Sequence, residues 1–505
     1  MSYVTQLLLV LASRGAIKTE IHELIERLWS EHCEALEQIA LEFLTKEISP
    51  TGMFDFETQL AEQFREFARH LVEQMLNQIE ADDPEEMPHH VEYQAGGYRR
   101  LNQKTRNAHV ATLFGTVELW RYSYRYWHRD VSEACIFPLE IELGLVHGAT
   151  PALAEAVGCY MATAGATQQA VLDRLRLQHG VCWGPQRLRD VTQEIAAAFA
   201  EMTQEAQVER LLEMLKTADR SRGSRRPVLS VGRDGVTLRE YRFRFFEHAA
   251  VGTVAVYGRA GKRLGTVYLA FAPEPGQQQL TERLTALLRE VLRRWDGPLP
   301  RLTYVTDAGE NETQYYQKVL SNMAHPRTGE KLHWIRIVDY YHASQRIWTM
   351  AEVLFGKDHP AGRAWARRMC RILKQPNGPF RVLHSAAALR TRRKKLSKSR
   401  AAEFGKAYRY IRRRTQHMQY HDYKRMNLPI GSGVTEAACK TVVTQRLKLS
   451  GMRWIKYHAQ TILNLRVALL SGIWQPLYRR LLQNHDAQAL RPYASFPKTA
   501  MREAA

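Results

Sequence analysis

The sequence predicts an α+β chain of several domains: an acidic helical region first, a mixed α/β layer in the second half, and a basic helical stretch inserted into that layer. Three observations carry this. At 505 residues the chain is longer than one hydrophobic core usually serves. Its charge is unevenly divided: the whole carries +20 with a pI near 9.7, yet residues 1–92 hold 19 acidic and 6 basic side chains, so −13 sits there and +33 after it. The apolar spacing changes from helical to alternating after the basic spacer "RSRGSRRP" at 220–227.

The acidic region, 1–92, contains "TEIHELIERLWSEHCEALEQIALEFL", where Ile21, Leu24 and Leu28 begin an apolar stripe at helical spacing. It is expected to pack on this chain or on a second copy. "ADDPEEMPHHVEYQAGGY", with its acids, prolines and Gly-Gly, reads as the linker that closes it. "LLLVLA" at 7–12 follows no basic residue and is too short to span a bilayer, so neither a signal peptide nor a transmembrane helix is expected. Six scattered cysteines without a C-x-x-C pair read as buried thiols of a reducing compartment.

Residues 93–225 begin with an alternating stretch, "TRNAHVATLFGTVELWRYSYRYW", folded into a short hairpin about Phe114-Gly115. Two helices broken at His179-Gly180 follow, the second carrying Arg187, Arg189 and Gln193. This pattern suits either a DNA-reading helix-turn-helix or a plain bundle.

From 226 to 344 come three strands, a helix, a strand, a helix and a strand, which make an α/β layer with mixed strand directions. Residues 345–425 form a basic helical insertion, 426–480 return to the core as its last helix, and 481–505 are a tail. Within the insertion, 361–425 has 20 Lys and Arg against only Glu403 and Asp422. Solvated helix faces usually mix charge signs, so a run this one-sided predicts a surface for phosphate backbone, with interleaved Tyr and His available to stack on bases. Arg392, Arg393, Lys394, Lys395, Arg412 and Arg413 belong to it.

Three acids stand where a phosphodiester metal centre needs them. Asp234 is expected at the end of the first apolar strand, in "VLSVGRDG", Asp307 at the end of a later strand, in "LTYVTDAGEN", and Glu436 heads a helix just after Gly-Ser-Gly. Hard divalent cations prefer carboxylate oxygens, and a pair of them can activate a nucleophile and stabilise a leaving oxygen. Each acid also has a plain reading: an Asp before Gly forms turns, and Glu436 with Lys440 is an ordinary i, i+4 pair.

"LPIGSGVTEAACKTVVTQRLKLSGMRW", together with "SVGRDGV", "YVTDAGEN" and "IVDYYHA", resembles the transposases of the ISKra group of bacterial insertion sequences, relatives of the Mutator-like enzymes, over about 95–475. The resemblance implies an RNase H-like catalytic domain with a DDE triad, here Asp234, Asp307 and Glu436. A helical insertion precedes the last of these. It implies Mg²⁺, with Mn²⁺ as a substitute, bound by the triad, and two-metal hydrolysis and transesterification at element ends. It further implies that His342, in Asp339-Tyr340-Tyr341-His342, organises the site or the scissile phosphate, with Asp339 in support. Lys440, Arg446, Lys448 and Arg453 then line the DNA path, and Trp454 either stacks on a base or fills the core.

One departure from the pattern is the absence of paired cysteines after the hairpin. Only Cys135 is present, so no structural zinc is expected and Trp120, Tyr124 and Trp127 must hold that region by packing. The expected partners are DNA and a second copy of the chain, since two element ends are processed together, and the expected location is the cytoplasm and nucleoid. An RNase H-fold nuclease that cuts without joining, and a catalytically silent DNA-binding protein, are the alternatives.

Overall fold

The computed structural model describes residues 17–94, 96–126, 135–239, 246–392, 396–487 and 490–492. The chain is a mixed α/β structure with two sheets and divides into two compact units. One unit takes the chain up to 161, then 166–198 and the part from 478 onward; the other takes 162–165 and 199–477.

In the first unit, helices α1 (Ile17–Thr45) and α2 (Pro50–Asn77) form an antiparallel hairpin. It is closed by Phe43 stacked on Phe56, Trp29 edge-on to Phe67, and a His32–His70 hydrogen bond of 3.0 Å. The Ser49 hydroxyl caps α2 by accepting from Gly52 N, with Pro50 at the first helical position, as capping chemistry predicts. Strands β1 (His90–Tyr93), β2 (Gly96–Thr112) and β3 (Gly115–Tyr126) make a sheet ordered β3-β2-β1-β9, the last being Arg491–Pro492. The stretch read as a linker is therefore corrected: its second half is β1 and the start of β2, paired from His90↔Arg99 to Tyr93↔Gly96. Gly-Gly there serves the strand pairing and does not end a domain.

The hairpin β2–β3 is longer than expected. Its outer edge is closed by side chains from α2 and the residues just after it, which accept or donate as a neighbouring strand would. Asn77 takes Trp120 N and gives to Glu118 O, Glu73 accepts from Glu118 N at 3.1 Å, and Glu80 accepts from Tyr122 N at 2.7 Å. Acids of the first region thus pack on this chain's own sheet. Tyr124 is buried as expected, whereas Trp120 is largely exposed; Trp127 lies outside the described residues. Helices α3 (Pro138–Glu142), α4 (Pro151–Ala162), α5 (Gln168–His179) and α6 (Pro185–Asp219) follow; α6 contributes its first part to this unit and the rest to the other.

The second unit is built on a five-stranded sheet ordered β6-β5-β4-β7-β8, from β4 (Val228–Arg239), β5 (Phe246–Tyr257), β6 (Arg263–Phe271), β7 (Arg301–Thr306) and β8 (Trp334–Val338). β5 is antiparallel to both β4 and β6, while β7 lies parallel to β4 and β8 parallel to β7. Helix α7 (Gln278–Arg294) joins β6 to β7, and its buried Leu280, Leu284, Leu287 and Leu288 pack with Val208, Leu211 and Leu215 of α6 against one face. Helix α8 (Glu310–Lys318) joins β7 to β8.

The basic segment folds as α9 (Tyr340–Phe355), α10 (Pro360–Ile372), α11 (Gly378–Arg392), α12 (Lys398–Arg412) and α13 (Tyr420–Arg425). Its apolar residues Ile347, Met350, Val382, Phe404 and Ile411 share one core with Val228, Val305, Ile337 and Val338 of the sheet. Then come α14 (Gly433–Ala438), a π turn over Cys439–Thr444, α15 (Gln445–Leu447), α16 (Lys456–Leu470) and α17 (Trp474–Ala487). α16 covers the β6 edge: Gln460 accepts from Ala272 N and gives to Ala270 O, and Ser471 accepts from Tyr268 N at 3.0 Å.

Glu80 is almost fully buried and serves the buried Tyr122 N–H. Replacing it with Ala leaves that donor without its partner, which costs about 1–3 kcal/mol. Glu80→Gln keeps an accepting oxygen and loses less; denaturant unfolding of the two variants distinguishes them.

Candidate metal centre

Strand register sets three of the acids on neighbouring strands, although Asp234 and Asp307 do not join the compact ligand group that Glu436 enters. β4 and β7 pair from Val228↔Arg301 to Val231↔Tyr304, and β7 and β8 from Leu302↔Trp334 to Thr306↔Val338. Continuing both registers sets Asp234, Asp307 and Asp339 level across three neighbouring strands and in the same phase of the pleat. The backbone N–H of Asp339 donates to Thr306 O at 2.8 Å, which holds the β8 end in that line. β4 and β7 are neighbours, but the expectation that Asp234 ends its strand is corrected: β4 runs on to Arg239 and pairs with β5 at Asp234↔Val251, because β5 continues alongside it after β7 has stopped.

Each acid is held by local backbone. Asp234 accepts from Gly235 N at 2.7 Å and from the Cys439 thiol at 3.4 Å. Asp307 accepts from Gly309 N at 2.9 Å, forming the turn into α8. Asp339 is fully buried and caps α9, accepting from His342 N at 2.7 Å. Its other oxygen accepts from both the backbone and the hydroxyl of Ser432.

Glu436 arrives from the first turn of α14, which lies directly on the sheet. A Cβ at Gly232 would collide with Thr435 Oγ1, so only glycine permits this approach. The Thr435 and Thr253 hydroxyls are hydrogen-bonded at 2.8 Å across the contact. Glu436 Oε1 stands 2.9 Å from Ser432 Oγ and 3.4 Å from His342 Nε2. The i, i+4 pairing with Lys440 read from sequence gives way to this His342 pair, because the helix passes into a π turn at Cys439.

Two properties make the cluster fit a divalent cation. Ser432 Oγ has one proton but faces two carboxylates, Asp339 Oδ2 at 2.8 Å and Glu436 Oε1 at 2.9 Å. It can donate to only one of them at a time; Asp339 Oδ2 keeps the Ser432 N–H, and Glu436 Oε1 keeps its position beside His342, open to a cation. Further, no Lys or Arg forms an ion pair with Asp234, Asp307, Asp339, Glu436 or the neighbouring Glu312 among the described residues, in a chain of net charge +20. Buried or half-buried carboxylates are otherwise paired. Burial raises the Asp234 carboxyl above its ordinary range, and the charges of Asp307 and Glu436 raise it further. Glu312 is raised in the same way, by burial first and then by Asp307 and Asp234.

The compact ligand set among the described residues is Asp339, His342 and Glu436, whose donor atoms lie within 4.8 Å of one another. Asp339 was expected only in support. Its Asp-x-x-His spacing was the available signal: a capping Asp and a residue three further on occupy the same helical turn.

Of the expected DNA contacts, Lys440, Lys448, Arg453, Arg392, Arg412 and Arg413 are exposed, while Arg393, Lys394 and Lys395 lie outside the described residues. Arg446 is a correction: it is 1% exposed, packs 5.4 Å above the Trp454 ring, and burial with the nearby Arg466 lowers its pKa to about 10. Trp454 donates to Leu447 O at 2.8 Å and belongs to the same packing. Arg187, on α6, is likewise spent on the carbonyls of His147 and His109 and is not presented for base reading.

The raised Asp234 carboxyl fixes the sign of a stability effect. The folded protein holds this proton more tightly than the unfolded chain, so the contribution is present below the unfolded pKa and is lost as pH rises through the folded one. Metal-free Asp234→Asn is therefore expected to melt higher than the parent at pH 8 and to lose that advantage near pH 3, measured by thermal unfolding in chelator. No protein-family model matches the chain, and no curated protein matches it with significance.

Proposed function

We propose that the chain is a DDE transposase of the ISKra type, which cleaves DNA at the ends of an insertion sequence and joins the freed 3′ end to a target. The observation that carries this reading is the placing of carboxylates within β4 and directly after β7 and β8, without a Lys or Arg partner among the described residues. The sheet supports an RNase H-like core: antiparallel β5 and β6 flank one side of β4 and parallel β7 and β8 the other.

Asp234, Asp307 and Glu436 would hold the divalent cations, Mg²⁺ or Mn²⁺, and Asp339 with His342 would add ligands beside Glu436. Such ions supply Lewis-acid stabilisation of the attacked phosphate. Gly232 and Thr435 hold Glu436 against the strands, so the carboxylate is positioned before substrate arrives. His342, half-buried beside Glu436, orients the scissile phosphate. Arg392, Arg412 and Arg413 on the basic helices, and Lys440, Lys448 and Arg453 beyond α14, bind backbone phosphates. A second copy is required to bring two element ends together, and the substrate is nucleoid DNA. No helix among the described residues is long and apolar enough to cross a membrane.

Asp234→Asn, Asp307→Asn and Glu436→Gln are each expected to abolish Mn²⁺-dependent cleavage of end-bearing DNA while leaving its binding within a few-fold of the parent. Loss of binding in all three defeats the reading, and cleavage without joined products in a strand-transfer assay reduces it to a nuclease. The double change Arg412→Ala, Arg413→Ala should weaken binding and lower the slope of log affinity against log salt by about 1 for each phosphate no longer neutralised, read by titration at several salt concentrations.

A further inference from the structure

We infer that Glu312 is a further carboxylate ligand of the divalent-cation centre, paired with Asp307; this rests on the metal-dependent reading above. Helix α8 starts three residues after Asp307, with Glu310 and Glu312 both in its first turn. Acids in a first turn normally stay in water and face the helix dipole from outside. Glu310 does so, being exposed, whereas Glu312 is only 8% exposed.

No cation holds the Glu312 carboxylate in that position. Among the described residues it has no ion pair and no hydrogen bond from another side chain, and its own backbone amide is its hydrogen-bonding partner. The guanidinium that influences it electrostatically, Arg233, is engaged elsewhere. Arg233 donates to Thr281 Oγ1 at 2.9 Å and to Gln277 Oε1 at 3.1 Å, and lies 4.4 Å from the Tyr315 ring centroid.

Glu312 is aimed at Asp307. A Cβ built on Gly309 would run into Glu312 Oε2 and would stand 3.3 Å from Asp307 Oδ1, so both oxygens close on one point beside that glycine. Two carboxylate oxygens of separate acids, one of them on a residue more than nine-tenths buried and without a cationic partner, lie on the same side of a backbone without a side chain. A hard divalent cation such as Mg²⁺ or Mn²⁺ is the ligand whose chemistry matches: it takes oxygen donors, neutralises both charges, and fits where a second side chain would not. Asp307 and Glu312 would each supply a carboxylate oxygen to it. Asp307-x-x-x-x-Glu312 is the sequence spacing that produces this, through a turn and one helical turn.

The test is Mn²⁺ binding to the full chain in the absence of DNA, read by electron paramagnetic resonance of the free ion during titration. Glu312→Gln is expected to weaken Mn²⁺ binding at least tenfold or to remove one bound ion. Glu310→Gln, the exposed neighbour, should bind as the parent does. Glu312→Asp keeps the charge and withdraws the oxygen by one methylene; it should also bind more weakly, and it serves in place of the amide if that variant fails to fold. Parent-like Mn²⁺ binding by a folded Gln or Asp variant, with binding lost in Asp307→Asn, overturns the role of Glu312 and leaves the metal-dependent reading intact. A parent chain that binds no Mn²⁺ overturns both.

Discussion

The close approach of α14 to β4 is the contact on which the candidate site depends. Glycine at 232 removes the only atom that would hold the helix away, and the Thr435–Thr253 hydrogen bond fixes its height over the sheet. Burying two hydroxyls between a helix and a sheet is acceptable because each satisfies the other. Without this seating, Glu436 would be an exposed acid on a short helix. With it, the carboxylate is held beside Ser432, His342 and the buried Asp339, more than 90 residues away in sequence.

The cations of the surrounding elements are used in a way that leaves the acids free. Arg414 donates to Ala308 O at 3.2 Å and Tyr410 to Asp307 O at 2.6 Å, so the basic helices grip the turn after β7 by its carbonyls. Arg233 is absorbed by two neutral side chains and a ring, and Arg466 donates to the carbonyls of Val442, Ala162 and Thr441. Guanidinium groups suit such multiple neutral contacts, since their donors are fixed in a plane. The arrangement keeps Ala308 at φ +62, an uncommon value for alanine, and thereby aims Asp307.

Much of the second unit was legible in the sequence because its signals are local. Alternating runs marked β4 to β6, the Leu spacing marked α7, and "TYVTDAG" and "RIVDYYH" marked strands that end at an acid. The level placement of Asp234, Asp307 and Asp339 was not legible, because it depends on inter-strand register over separations of 73 and 32 residues, which only the folded pairing sets. Likewise, an Arg in a basic run looks the same whether it faces solvent, as Arg453 does, or the core, as Arg446 does. Glycine signals divided similarly. Gly96-Gly97 resembled a linker but lies in a strand, and Gly232, which carries no signal of its own in the sequence, makes room for a helix.

The basic helices cannot be regarded as an appendage to the α/β layer. Val228, Val305, Ala308, Ile337 and Val338 bury their side chains among Ile347, Met350, Val382 and Ile411, so those helices supply much of the hydrophobic cover of one face of the sheet. Tyr420 reaches through this core to donate to Val338 O, the last residue of β8 and the one before Asp339. Removing the helices would expose that face to water and release the β7 and β8 ends that carry Asp307 and Asp339. A segment whose exposed surface is cationic is thus also the inner wall that holds two of the acids in register. Shifts of these helices on binding a polyanion would therefore reach the acids through packed side chains and the hydrogen bonds from Tyr410 and Arg414.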